Sequence, residues 1–582
     1  MFFPSPRPVP AALLFVFAAA LALVPLRAHA QTDDLPTVTR TYALENARIV
    51  QAPGRVIERG TVVLRNGLIT AVGTDVAVPF DAERIAADSM VVYAGFIDGL
   101  SHAGIPKPKE DANRKRPDDP GNPPDDYAGI QPQRDARTML APGDKSVKAL
   151  RKAGFGAAHT VPHGRMLPGS GAVVLLSGDD PGAMILRGDV SLFAQFEAAP
   201  GVYPATPMGM TAKMRQLYRE AERRRTIEKM YEENPTGLER PPHDAVHEAL
   251  FPVLEGRKPV FFFVESALEG YRALRLRKDL GFPLALGGLE QSFDLIDALR
   301  DARAPLFFTL GLPKEPKKKA AAKKDSVETA MAAQYDPSIR TATYRDLEAE
   351  RRNLEARQRM SREKYLRNAA MLHEAGLRFG FSTMDVKPAD IHKNLRVMIE
   401  NGLPEDAALA ALTTDAADLL GLSAVLGSVD EGKIANLVVT TAPYFEEQAK
   451  IRYVFVDGVK YEYEIKEKKK PKAGEEAANP VGVWSYVIST PMGEFDGTLT
   501  LEGSPDDLRG SLTSSQSPGA TELRNLTFDG NELSFTFEIP DGPGTLTFTV
   551  VITGDEMEGS VNVPGMGDAP VTGTRESGPD RP

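Results

Sequence analysis

Eight histidines and no cysteine are what this 582-residue chain offers for acid–base, nucleophilic or metal chemistry. The missing cysteines exclude a thiol nucleophile, thiolate metal sites, disulfides and a lipidated N-terminal cysteine together. His243 and His247 stand four apart in "PPHDAVHEAL". That spacing puts both imidazoles on one helix face and can hold zinc, although the diprolyl start favours an ordinary helix N-terminus. His159 and His163 flank Pro162 where the apolar run "GFGAAHTV" ends, so both would point off a strand end. The glycine-rich "GRMLPGSG" that follows is more simply a packing loop. His373 and His392 fall in helical stretches and read as surface or packing residues. No Gly-x-Ser-x-Gly elbow, phosphate loop or dinucleotide fingerprint occurs in a strand–helix setting.

The elements that must position these residues change in kind along the chain. Residues 40–80 read as short strands, "TYALENARIV" and "GTVVLRNGLITAVG", with Asn66-Gly67 as a strong hairpin signal. From about 91 to 424, short apolar runs ("GFGAAHTV", "PVFFFVE", "FPLALGG", "APLFFTLG", "LRFGFST") alternate with amphipathic helices. The pattern predicts helices over 207–233, 267–280, 289–302 and roughly 341–376. Such alternation, at this length, predicts a parallel sheet closed as a (β/α)8 barrel. The basic stretch "KEPKKKAAAKKDS" (314–326) reads as a solvated loop, with a lid or anionic docking patch as the functional alternative. Strands return after 424, and "KEKKKPKAGEEAANP" (466–480) is a charged, proline-bearing linker. Residues 481–582 then hold roughly eight alternating strands, with turns at Asp529-Gly530 and Gly554-Asp555, an antiparallel meander closing as a small barrel.

The chain is too long for one core, so two or more domains are expected. At the N-terminus, Arg7, the apolar run "AALLFVFAAALALVPL" and the small residues Ala28–Ala30 have the pattern of a cleaved signal peptide. Cleavage after Ala30 removes Arg7 and Arg27 and takes the formal charge from −11 to −13. A periplasmic or secreted protein is expected, with no membrane span in the mature chain. Its acidity argues against nucleic-acid binding.

Three segments together resemble the amidohydrolase superfamily, in particular its imidazolonepropionase-like branch. They are "NARIV…GTVVLRNGLITAVG…VVYAGFID", "RKAGFGAAHTVPHGRMLPGSGAVVLLSG" (151–178) and "NGLPEDAALAALTTDAADLLGLSAVLGSVDEGKIANLVVTT" (401–441). The resemblance implies an α/β fold, an amidohydrolase-like (β/α)8 TIM-type barrel with a composite β-sandwich. The expected organisation is a signal peptide at 1–30, sandwich at 31–94, barrel at 95–424, sandwich again at 425–465, linker at 466–480 and a β domain at 481–582. In that last domain "GVW" (482–484) and "TGTR" (572–575) resemble lipocalin-like barrels, whose terminal arginine packs on the tryptophan and closes the barrel.

The resemblance also implies a metal, whose ligands must be matched singly. The family's first strand ends P-G-F-I-D-x-H-x-H, two histidines on one side of a strand. In "VYAGFIDGLSHAGIP" (92–106), Ala94 replaces the proline, Leu100 the first histidine, and His102 stands as the second. The middle strands end in Glu265-Ser266 and in Gly287-Gly288. The eighth strand should end in T-D; here Ser382-Thr383-Met384-Asp385 puts Met384 at the aspartate position and Asp385 one step on. A one-residue slip reverses the face of a side chain unless a bulge re-aims it. The implied set is His102, Glu265 and Asp385 around at most one divalent ion (Zn, Mn or Fe), with Asp385 also taking the proton. The alternative needs no metal: His102 as a hydrogen-bonded barrel residue, and Glu265 and Asp385 as helix caps.

Two functions of different class follow. One is a hydrolase of carbon–nitrogen bonds in cyclic amide-like small molecules. The other is a non-catalytic pseudo-amidohydrolase that binds a small molecule, another copy of itself or an active amidohydrolase partner. The last option rests on resemblance to the ligand-poor leading half of longer bacterial proteins.

Overall fold

The computed structural model describes residues 41–109, 117–313, 342–465 and 479–577, the last with short breaks at 491–492, 505–506, 515–516, 530, 539–544 and 564–566. The expected signal segment, the basic stretch 314–326 and nearly all of the linker lie outside the described residues. The chain divides into two compact units, meeting at Glu464–Ile465.

In the first unit, β1 (Thr41–Ala52), β2 (Arg55–Arg65), β3 (Leu68–Gly73), β4 (Glu83–Ala86) and β5 (Val91–Ala94) precede the barrel. They share one sheet with β14 (Leu437–Thr440), β15 (Ile451–Val456) and β16 (Val459–Glu462), which follow it. The join is β5 against β14, antiparallel with Leu437 opposite Ala94. The β2–β3 hairpin turns at Asn66 and Gly67, both at positive φ (50° and 80°), the conformation that Asn-Gly adopts with least strain.

The barrel strands are β6 (Phe96–Ser101), β7 (Phe155–Thr160), β8 (Gly169–Leu175), β9 (Ile185–Gln195), β10 (Val260–Val264), β11 (Leu284–Gly288), β12 (Leu306–Thr309) and β13 (Gly380–Ser382), hydrogen-bonded in chain order. Its ends meet where Met384 N–H and Ser382 Oγ donate to the Leu100 carbonyl, at 3.2 and 2.7 Å. The barrel departs from the regular pattern at one strand. β8 runs antiparallel to both β7 and β9, whereas every other paired neighbour is parallel. The cause is length: 161–168 is too short for a crossover, which takes about a dozen residues or more, so the chain folds straight back. β9 was not among the expected runs, because polar residues interrupt its first half, "ILRGDV". The helices Pro207–Glu233 and Ala267–Leu280 stand at the expected residues, and the long one runs Ala342–Glu374. Among the described residues no helix is long and apolar enough to cross a membrane.

The second unit holds nine strands among its described residues: β17 (Gly482–Thr490), β18 (Gly493–Ser504), β19 (Asp507–Ser514), β20 (Ser517–Glu522), β21 (Arg524–Asp529), β22 (Glu532–Glu538), β23 (Thr545–Thr553), β24 (Glu556–Val563) and β25 (Gly567–Ser577). They form one antiparallel, nearly closed sheet, with β17 beside β25 and edges at β20 and β21. The Arg575 guanidinium lies 4.3 Å from the centre of the Trp484 ring on the neighbouring strand. Arg575 also donates to the carbonyls of Val481 (2.7 Å) and Asn479, while Trp484 Nε1 donates to Pro480 O at 2.9 Å. The interior is filled by apolar side chains, Trp484, Phe535, Phe548 and Leu533 foremost.

Candidate functional site

The C-terminal ends of the parallel strands converge on one mouth, the place where this barrel type carries its chemistry. Asp98, Leu100 and His102 stand along β6 and its exit, where the pairing with β7 slips between Asp98 and Ser101. Asp98 is fully buried and accepts from Thr383 Oγ1 (2.5 Å), Thr383 N (3.0 Å) and Leu100 N (3.2 Å). Burial pushes its carboxyl up to about 6, against the pull of those bonds. Through these bonds Asp98 laces the first barrel strand to the exit of the last.

Leu100, the next inward residue, is wholly buried with Val161, Phe193, Phe261, Ala285, Phe307 and Met384 in one apolar cluster. That cluster fills the floor of the mouth. Met384, in the slot where the resemblance expects a carboxylate, is 5% exposed. Asp385 is exposed at φ 58°, a left-handed conformation, and lies near enough to His163, Glu265 and Glu290 to act on their charges.

His102 sits above Leu100. Its Nδ1 donates to Val161 O at 2.7 Å, and its ring lies 3.7 Å, centre to centre, from that of His163. His163 in turn donates from Nε2 to Ile105 O at 3.1 Å. Each histidine thus braces the strand exit that carries the other. Burial, then the neighbouring His163 and Lys107, hold His102 down to about 4; burial also lowers His163. Both rings are neutral at pH 7, each with one lone-pair nitrogen to spare. His159 is deeper, bonded to Gly99 O (3.0 Å) and Ser191 Oγ (2.8 Å) and lowered to about 4 by burial.

Glu265 follows β10 and is exposed, its carboxyl raised by partial desolvation and by Glu290, Glu269, Asp385 and Glu197. Glu290, after β11, is raised by burial and by Asp385. No cation among the described residues pairs with Glu265, Glu290 or Asp385, so the rim is acidic. Neither Glu265 nor Asp385 caps a helix. Ser266 caps Ala267–Leu280, reciprocated by Glu269 in a capping box.

The resemblance implies a divalent metal, and the residues present do not fit it. Among the described residues no three His, Asp or Glu side chains come together in a way that could hold one, His102, Glu265 and Asp385 included. Leu100 and Gly287, at two positions where the family places donors, offer none, and the space between them is packed. His243 and His247 do not face a common ion either. His243 precedes the short helix Ala245–Glu248 and pairs with Glu248 at 2.8 Å, while His247 pairs with the capping Asp244 at 2.7 Å. His392 donates to Tyr444 O at 2.7 Å, a packing role. Sequence reasoning overlooked Asp98 and Glu290. Asp98 lies inside the quoted motif, two residues before Leu100, and its spacing was the available signal.

The amidohydrolase family model matches residues 315–460. Among solved structures, an amidohydrolase from Thermotoga maritima MSB8 superposes with a TM-score of 0.57 at 19% identity, over 72% of this chain and 100% of the other. That is a likeness of fold. A Xaa-Pro dipeptidase (TM-score 0.40, 15% identity, 73% of this chain, 100% of the other) and molinate hydrolase (0.40, 16%, 72%, 94%) match too loosely to support a further step. No curated protein sequence matches the chain. The imidazolonepropionase-like branch is not singled out by these relatives.

Proposed function

We propose, for an amidohydrolase-fold chain matched by that family's model over residues 315–460, that metal-dependent hydrolysis is no longer its activity. It works instead as an exported binding protein of the periplasm or medium. One observation carries this reading: the floor of the mouth, where the fold's metal chemistry would sit, is a packed cluster of Leu100, Val161, Phe193, Phe261, Phe307 and Met384. A metal needs lone pairs converging on it, and these side chains have none suited to a hard or borderline ion. Among the described residues no cation pairs with the carboxylates of Glu265, Glu290 and Asp385, and such a rim favours a neutral or cationic small molecule over an anion.

A second reading, in which the occupant is another protein chain, is favoured by a separate observation. Met208 and Leu268, 81% and 66% exposed, stand in the first turns of the helices that follow β9 and β10. The occupant would then be a further copy of this chain or an active amidohydrolase.

The test is metal content per chain by plasma mass spectrometry, on mature protein expressed with zinc, manganese and iron and desalted without chelator. Hydrolysis of cyclic amide and dipeptide probes is assayed alongside. Metal near zero and no hydrolysis above the buffer rate is expected. One metal per chain with metal-dependent turnover would return the protein to the hydrolases.

A further inference from the structure

We infer that the floor of the mouth is a co-adapted knob-and-hole plug, Leu100 fitting the space left by Gly287, so that no single ligand substitution reopens a metal pocket. The inference deepens the non-hydrolytic reading and rests on it. Gly287 lies mid-register in β11, opposite Phe263 on one side and Phe307 on the other. Its neighbour Gly288 has φ 89°, a backbone reason to be glycine; Gly287 has no such reason, since its φ is not positive. What a side chain would meet there is the Leu100 methyl. A Cβ on Gly287 would collide with Leu100 Cδ2 and stand 3.6 Å from Leu100 Cγ.

The same device recurs one strand over. A Cβ on Gly99 would run into the Phe307 ring, and one on Gly380 would come within 2.9 Å of Phe307 Cδ1. Phe307 is thus seated between two glycines and stacks on Phe261 at 5.5 Å. Two large apolar side chains therefore fill places that three glycines leave open, and the fit is reciprocal. A histidine at position 287 would have to push the Leu100 Cδ2 methyl out of its seat. A histidine at 100 would face Met384 and Phe307 with its polar atoms unmatched. Restoring a pocket requires at least two changes at once.

The full-length mature chain tests this through Leu100→Ala, Gly287→Ala, the double variant and Leu100→His. Melting temperature and zinc per chain are the readouts. Gly287→Ala should lower the melting temperature by several degrees through overpacking. Adding Leu100→Ala should recover part of that loss, so that the double variant is more stable than the summed single losses. Leu100→His should melt lower than wild type and remain free of zinc. Should Gly287→Ala not fold, recovery of a folded double variant supports the fit, and a double variant that also fails to fold overturns it. Strictly additive losses, a Gly287→Ala that melts like wild type, or a Leu100→His that takes up one zinc at an unchanged melting temperature would each overturn it. In those cases a zinc-free wild type leaves the non-hydrolytic reading standing; zinc in the wild type itself would sink that reading instead.

Discussion

The barrel of the first unit and the nearly closed sheet of the second keep different interiors. In the first unit, polar groups lie buried among the strands: Asp98, Ser101, His159, Thr160, Ser191, Ser382 and Thr383 are each at most 6% exposed. In the C-terminal sheet, none of the described buried residues is charged or carries an aliphatic hydroxyl. The polar handles there are Trp484 Nε1, bonded to Pro480 O, and the Tyr486 hydroxyl, bonded to Thr513 O at 3.1 Å. A small antiparallel barrel with a filled interior needs only volume and alternation. The barrel of the first unit holds polar groups at its strand ends, and these bond to one another and to the backbone. Asp98 ties β6 to the exit of β13, and His159 ties β7 to Gly99 and Ser191. The comparison shows that polar groups at a barrel mouth can serve as internal bracing.

The largest effects should separate the two interiors. Phe307→Ala should cost the first unit, and Trp484→Ala the second, about 3–5 kcal/mol each. In scanning calorimetry each variant should move only its own unit's transition; one shared transition shifting in both would end the comparison between independent interiors.

Next come the buried titrating groups. Asp98 has a folded pKa of about 6 against an ordinary 3.8, so the fold favours its protonated form. The contribution of Asp98 to stability should therefore fall as pH rises through 4 to 6, by about 3 kcal/mol. Asp98→Asn should match wild type near pH 4 and exceed it near pH 8, read as the difference between their urea midpoints. A constant difference across that range would remove the buried-carboxylate account.

His102 acts with the opposite sign. Its folded pKa is about 4 against 6.5, so the fold favours the neutral ring. Its contribution is fully present above 6.5 and is lost as pH falls toward 4, again about 3 kcal/mol at most. The His102 Cε1–H resonance should titrate near pH 4; a midpoint near 6.5 would mean the stacked pair is open to water.

The smallest effect belongs to the C-terminal clamp. Arg575→Lys keeps the charge over Trp484 but loses the planar fork that reaches the carbonyls of Val481, Asn479 and Gly554, and should cost about 1 kcal/mol. A loss as large as that of Trp484→Ala would make the clamp, rather than the filled interior, the main source of that unit's stability.

Much of the fold was legible because the signals are local. Asn66-Gly67 marks its hairpin through the positive φ that few other pairs tolerate, and Ala267–Leu280 shows its boundary in Ser266, Glu269 and the closing Gly281. The slip from Met384 to Asp385 was legible too, since strand alternation alone assigns opposite faces to adjacent residues. The reversed β8 was half legible. The shortness of 161–168 carried the signal, but the alternating pattern of its neighbours outweighed it.

The sequence by itself determined most of the elements, the missing lone pair at Leu100 and the acidic balance, because each is a property of residue type or of spacing within a few positions. Only the tertiary structure decided that Leu100 fills the space of Gly287, that His102 and His163 brace each other's strands, and that Asp98 bonds Thr383. Those partners lie tens to hundreds of residues apart. Barrel closure brings them together, and no periodicity along the chain records which side chain will meet which across it.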